Sequence, residues 1–257
     1  MKSLAALGLL IFLLGCATKP KIQIIGAYQL TSEIYNDGTK DSAIDRKQLK
    51  IYTDKYMMYA SPNAADSFAN FGIGTYKIDD GKLYEYRFYT AQYGERMDTF
   101  VLKIEKTYNG FKQIIEGVNA QGRNFKSTEE YVSVATDQKS PLDGTWKQVR
   151  NVYLKSTGDS SINNSPLEFK TYQSGYFIWA IPIKDSLNRN TSVFGYGPFE
   201  MLAGNKVRES VANSTLITGL VGKKYDVDIQ MNGNDSYKQT ITFANGDKSM
   251  EIYQRLK

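Results

Sequence analysis

Apolar and polar residues alternate with a period of two along most of this chain. Leu83-Tyr84-Glu85-Tyr86-Arg87-Phe88 places Tyr84, Tyr86 and Phe88 on one face and Glu85 and Arg87 on the other, as a half-buried strand requires. Turn signals punctuate these runs closely: Asn36-Asp37-Gly38, Asp79-Asp80-Gly81, Asn109-Gly110, Gln121-Gly122, Asn232-Gly233 and Asn245-Gly246. Asn-Gly and Asp-Gly suit tight hairpins because both central turn positions need positive φ. The runs flanking Asn109-Gly110, Phe100 to Tyr108 and Phe111 to Gly117, are therefore expected to pair. No segment carries an apolar stripe at 3.6-residue spacing, so long helices are not expected.

The pattern occurs twice. Gly26-Ala27-Tyr28 is echoed by Gly144-Thr145-Trp146, and Lys55-Tyr56-Met57-Met58-Tyr59-Ala60 by Gly175-Tyr176-Phe177-Ile178-Trp179-Ala180. Phe71-Gly72-Ile73-Gly74 returns as Phe194-Gly195-Tyr196-Gly197, and Glu129-Glu130-Tyr131 as Glu251-Ile252-Tyr253. The four pairs keep their order at offsets of 118 to 123 residues, which argues for duplication of one domain. Thr136 to Pro141 is polar, ends in proline and lacks strand periodicity, so it marks a linker. Two domains follow, 22–135 and 142–257, joined through 136–141. Each holds about eight short strands, the number at which an up-and-down sheet can close into a barrel and lose its edges. The expected fold is all-β: two tandem up-and-down antiparallel barrels. A single large outer-membrane barrel is disfavoured, because Lys, Asp and Glu occur on both strand faces. The glycines of Phe-Gly-x-Gly suit bulges or sharp barrel bends better than phosphate binding, since no helix or Lys-Ser/Thr follows.

Composition narrows the chemistry. The chain has no histidine, which removes Ser-His-Asp and Cys-His nucleophiles, His-based metal sites and imidazole acid–base catalysis. It has one cysteine, so no internal disulfide can form. The formal charge of +5 is modest and spread out, which gives little support to nucleic-acid binding. No cofactor motif or metal-ligand spacing stands out, and neither a cofactor nor a metal is expected. Glu85, Arg87, Glu105, Glu116 and Arg208-Glu209 could place charge inside a barrel, but no spacing selects a catalytic pair. A non-enzymatic protein is the expectation.

The N-terminus carries a first resemblance. Met1-Lys2-Ser3 is basic, Leu4 to Leu14 is apolar and uncharged, and Leu13-Leu14-Gly15-Cys16 closes the run. This arrangement resembles the signal and lipobox of bacterial lipoproteins. The run is too short to span a hydrocarbon core, which takes roughly 20 helical residues. The resemblance implies removal of residues 1–15, lipidation of Cys16 and a tether over 16–21. It makes the membrane a partner through the acylated Cys16. Because Ala17, not aspartate, follows the cysteine, it also implies the periplasmic side of an outer membrane.

A second resemblance lies in the repeat. Asp143-Gly144-Thr145-Trp146 and Glu251-Ile252-Tyr253-Gln254-Arg255 are similar to the opening and closing motifs of lipocalin-like domains. The resemblance implies that Trp146 caps the closed end of a barrel with Arg255 packed on it. Gly26 and Tyr28 are the first half's counterparts, without a matching arginine. A lipocalin-like cup also implies a small hydrophobic ligand. The candidate walls are Tyr56, Met58, Tyr76, Tyr84, Tyr86 and Phe88 in the first half, and Tyr176, Ile178, Phe194 and Tyr196 in the second. The alternative is a pair of filled barrels that act through their surface on a protein or glycan. Period-two patterns define a face but not which face is inside.

Overall fold

Each tight turn reverses the chain, so consecutive strands pair antiparallel and the sheet grows by one strand at a time. The computed structural model describes residues 22–62, 69–119, 121–216 and 218–257. The expected signal segment 1–15 and the whole tether 16–21, Cys16 included, lie outside these residues. In the first half the strands are β1 (Gly26–Asn36), β2 (Asp41–Ala43), β3 (Leu49–Tyr52), β4 (Tyr56–Pro62) and β5 (Ala69–Asp79). They are followed by β6 (Lys82–Thr90), β7 (Gly94–Thr107), β8 (Gly110–Val118) and β9 (Asn124–Ser133). Strand β1 pairs with β3 at its start and with β9 along its length, which closes an eight-stranded barrel. Strand β2 folds back on the far end of β1.

The second half repeats the plan. Its strands are β10 (Gly144–Leu154), β11 (Ser160–Asn163), β12 (Phe169–Gln173), β13 (Tyr176–Lys184) and β14 (Asn190–Leu202). Then come β15 (Lys206–Ser210), the short β16 (Asn213–Ser214), β17 (Lys224–Asn232), β18 (Ser236–Thr242) and β19 (Lys248–Arg255). Strand β10 pairs with both β12 and β19 and closes the second eight-stranded barrel, with β11 as its flap. The registers match as well: Tyr28 pairs with Lys50 and Ser133, and Trp146 with Lys170 and Arg255. Both opening strands shift register at equivalent points, Leu30/Ser32 and Gln148/Arg150. Among the described residues no helix is long and apolar enough to cross a membrane.

The Asn109 hairpin forms, but Thr107 pairs with Gly110, so Tyr108-Asn109 make the turn and Gly110 belongs to the strand. Gly110 is held there by close approach, since a Cβ would lie 2.0 Å from the Tyr131 carbonyl oxygen. The repeated glycines behave as expected of barrel bends. A Cβ at Gly74 would meet the Tyr86 carbonyl oxygen at 2.2 Å, and one at Gly197 the Ser210 carbonyl oxygen at 1.9 Å.

Three apolar clusters result. One fills the first barrel, with Tyr28, Tyr52, Met57, Leu83, Leu102, Phe111 and Tyr131. Another fills the second, with Trp146, Tyr172, Phe177, Phe199, Val207, Tyr237 and Tyr253. The third lies between the barrels: Leu49, Ile51, Met58, Ala60, Phe71 and Ile73 against Phe169, Ile178, Ala180, Phe194 and Tyr196. These are matching positions of matching strands, β3–β5 against β12–β14, as in a self-complementary dimer interface. Buried on both faces, β4 and β13 read as continuous apolar runs instead of alternating ones.

At one end of the second barrel the Arg255 guanidinium stacks 4.0 Å from the Trp146 ring and donates to the carbonyls of Asp143 and Pro141. Trp146 Nε1 donates to the Leu142 carbonyl at 2.8 Å. Such a stacked pair contributes about 0.5–2 kcal/mol. In the first barrel Tyr28 packs edge-on against Phe111 at 5.0 Å, and Ser133 stands where Arg255 would. Gly144 has φ of +135°, and a Cβ there would sit 2.0 Å from Arg255 Nη1; at Gly26 φ is +143° but the nearest atom is 3.4 Å away. Gly144→Ala should therefore destabilise more than Gly26→Ala. In urea unfolding Gly26→Ala is expected to cost about 1–3 kcal/mol of backbone strain, and Gly144→Ala that plus the displaced Arg255 stack.

Candidate functional site: the polar interiors of the barrels

Strand alternation sends every second residue inward, and four strands of each barrel, β3, β6, β8 and β9 and their counterparts β12, β15, β18 and β19, carry a polar residue at a middle inward position. In the first barrel Lys50 on β3 reaches across the lumen to Glu85 on β6 at 3.0 Å and to Gln113 Oε1 on β8 at 3.1 Å. Gln113 donates its amide to Glu129 Oε2 at 3.0 Å, and the Tyr131 hydroxyl donates to the same oxygen at 2.7 Å. The Gln48 amide donates to Tyr131 Oη, and Tyr52 donates to Glu85 at 2.9 Å. Two arginines close the network from above. Arg87 pairs with Glu85 at 2.6 Å and stacks 3.9 Å from the Phe100 ring. Arg46 bridges Glu33 at 2.6 Å and Glu129 at 2.9 Å.

The second barrel carries the same chain of donors. Lys170 on β12 reaches Glu209 on β15 at 2.7 Å and Gln239 Oε1 on β18 at 3.1 Å. Gln239 donates to Glu251 at 2.8 Å, and Tyr172 donates to Glu209 at 2.5 Å. Tyr253 Oη lies between Glu251 and Glu168. Lys50, Tyr52, Glu85, Gln113, Glu129 and Tyr131 thus have Lys170, Tyr172, Glu209, Gln239, Glu251 and Tyr253 as counterparts.

The differences are electrostatic. Gln48 becomes Glu168, Phe111 becomes Tyr237, and neither Arg46 nor Arg87 has a cationic counterpart inside the second barrel. Around Glu85, burial pushes the carboxyl up, but the adjacent Lys50 ammonium and Arg87 guanidinium outweigh it and hold the group at about 2. Around Glu168, burial also pushes up, the Glu251 carboxylate adds to it, and the carboxyl rises to about 8. The Tyr237 hydroxyl is buried and has no hydrogen-bond partner among the described residues, although the Tyr172 hydroxyl is near it.

All but one of the candidate ligand-wall residues face away from the lumens. Met58, Ile178, Phe194 and Tyr196 lie in the cluster between the barrels, and Phe88 and Tyr176 pack on it. Tyr56 donates to the Lys257 carbonyl at 2.6 Å, beside a groove of about 230 Å³ between the barrels. Tyr84 and Tyr86 alternate with the inward Leu83 and Glu85, so they face out. Only Tyr76 points into a lumen; it packs edge-on to Tyr52 at 4.9 Å and donates to the Thr53 carbonyl. The aromatic face of β6 is its outer one, and β4 and β13 are apolar on both faces, so alternation alone does not mark which of their faces is interior. Of the charged candidates, Glu85, Arg87 and Glu209 do sit inside, whereas Glu116 pairs with Lys103 on the exposed surface and Glu105 and Arg208 also face outward.

No family model matches the chain, and no curated protein matches it. Among solved structures, a redesigned β-barrel is 16% identical over 46% of this chain and 93% of that chain, with a TM-score of 0.30. A protein of unknown function of the DUF3598 family from Nostoc punctiforme is 9% identical over 90% of this chain and 96% of that chain, with a TM-score of 0.27.

Removing one partner of a buried pair leaves the other charge uncompensated, which typically costs about 3–5 kcal/mol. Lys170→Met strands Glu209 with no second cation, whereas Lys50→Met leaves Glu85 its Arg87. In denaturant titrations Lys170→Met is expected to lose about 3–5 kcal/mol and Lys50→Met clearly less. Adding Glu209→Gln should restore much of the first loss.

Proposed function

We propose that this protein is a non-enzymatic, lipid-anchored module of the bacterial cell envelope that works through the outer surface of two filled barrels, on a protein or glycan partner. The supporting observation is the direct bridge across each lumen, Lys50 to Glu85 and Lys170 to Glu209. A cup for a hydrophobic ligand needs an apolar lumen free of such crossings. Here the mid-level of each barrel is charged and its side chains are hydrogen-bonded to one another. Glu85, Glu129 and Glu209 are engaged with cations, and Glu129 also with the Gln113 amide. The anchor and the address rest on the lipobox resemblance at Cys16.

The outer surface offers Tyr93, Met97 and Val101 on the β6–β7 hairpin, each more than half exposed. Native mass spectrometry of the chain lacking residues 1–16, incubated with fatty acids, is expected to return the bare polypeptide mass. Crosslinking in the native membrane is expected to recover one specific partner. Stoichiometric fatty-acid uptake without any partner would reverse the reading in favour of a hydrophobic-ligand carrier. Cys16→Ser should leave the chain unprocessed or release it to the soluble fraction; cleaved protein still held in the membrane would refute lipid anchoring.

A further inference from the structure

Tyr253 stands between two carboxyl groups. Its hydroxyl oxygen is 2.7 Å from Glu168 Oε1, 2.8 Å from Glu251 Oε2 and 3.3 Å from the Gln148 amide nitrogen. A phenol has one hydrogen to donate. It can satisfy one carboxylate only, and the other carboxyl must meet the hydroxyl oxygen with a proton of its own. The neighbours decide which carboxyl that is. Glu251 accepts from the Ser249 hydroxyl at 2.9 Å and from the Gln239 amide at 2.8 Å. Gln239 cannot be turned round, because its oxygen accepts from the Lys170 ammonium. Glu251 is therefore the carboxylate. Glu168, whose side chain has no other hydrogen-bond partner among the described residues, is the acid.

We infer that the second barrel contains a proton-binding site in which Glu168 holds the proton and donates it to Tyr253, with Glu251 as the ionised partner beyond. The first barrel shows the same geometry with a fixed donor. Gln48 occupies the position of Glu168: its backbone carbonyl accepts from Leu30 N–H as that of Glu168 accepts from Gln148 N–H. The Gln48 amide donates to Tyr131, and Tyr131 donates to Glu129. An amide N–H cannot be titrated away; a carboxyl proton can.

The surrounding charge supports the proton. The groups facing Glu168 are Glu251 and Tyr253 on β19, Lys170 on β12, Glu209 on β15 and Tyr237 on β18. Three carboxyls share one ammonium, and Lys170 is committed to Glu209 at 2.7 Å. Among the described residues no group of three acids is arranged to hold a metal ion.

The sign of the effect follows from linkage. The folded state keeps the Glu168 proton up to a pH at which an unfolded glutamate, with a pKa of about 4.3, has lost it. Unfolding between these values releases a proton, so this group's contribution is fully present below the unfolded value and is lost as pH rises. Glu85 in the first barrel works in the opposite sense, losing its contribution as pH falls.

The test is urea unfolding of the wild-type chain from about pH 5 to pH 8, with infrared spectra of the folded protein, beside Glu168→Gln. Up to a tenfold fall in the folding equilibrium constant per pH unit is expected from one linked proton. Glu168→Gln, which supplies the same N–H as Gln48, should flatten that slope and remove a carboxylic acid C=O band present in the wild type near neutral pH. Gln48→Glu should add a second such slope. A wild type with no acid band at neutral pH, or a band and slope that survive Glu168→Gln, would overturn the inference. The infrared readout needs only folded protein, so it decides the matter even where a variant is unstable.

Discussion

A buried lysine bridging the lumen is the constraint around which each barrel is built. Lys50 and Lys170 are about 1% exposed, and each must reach acceptors on strands far from its own. An ammonium taken out of water is costly unless it is paired and fully hydrogen-bonded. That requirement fixes Glu85 and Gln113 around the first lysine, and Glu209 and Gln239 around the second. The glutamine, its oxygen turned to the lysine, must present its amide outward, which sets the orientation of Glu129 or Glu251. A hydrophobic filling could match this stability, but it would not specify which strand faces which.

The two barrels keep this frame and differ in how they neutralise it. The first adds Arg46 and Arg87 and uses an amide at position 48. The second omits both arginines and puts Glu168 and Tyr237 inside. Duplication has preserved the spanning lysine, the relay glutamine and the glutamate–tyrosine pair, while the charge balance has moved. The first interior balances three cations against three carboxyls, and the second sets one ammonium against three.

The barrels are also parts of one body. Phe169 packs against Phe71, Phe88 and Tyr89 at 5.8–6.5 Å, and the Thr171 hydroxyl contacts Met58 sulfur. The faces that a separate barrel would expose to water are here buried against their own duplicates. This accounts for β4 and β13, whose sequences are apolar on both faces and whose repetition first revealed the duplication.

Much of this was legible in the chain. Period-two alternation, closely spaced turn residues and the offset near 120 residues specified two all-β domains of eight strands, because these features depend on local backbone geometry and on pairing between near neighbours. The packing of Arg255 on Trp146 was implied only by the resemblance of their motifs to lipocalin-like domains; it forms because the two residues are register partners on β10 and β19. The direction of each strand face was not legible. Tyr84 and Tyr86 look like wall residues, and Glu85 is one of several charges that the pattern allows inside without choosing among them; the carboxylate is inside because its counter-charges come from Lys50 and Arg87. Only closure of the sheet brings β3, β6 and β8 to one point, and only docking of the barrels buries Met58, Ile178 and Phe194 on their outer faces. The sequence by itself determined what pairs with its neighbours. Which face is inside depends on charges distant in the chain and close in space, and the tertiary structure alone decided that.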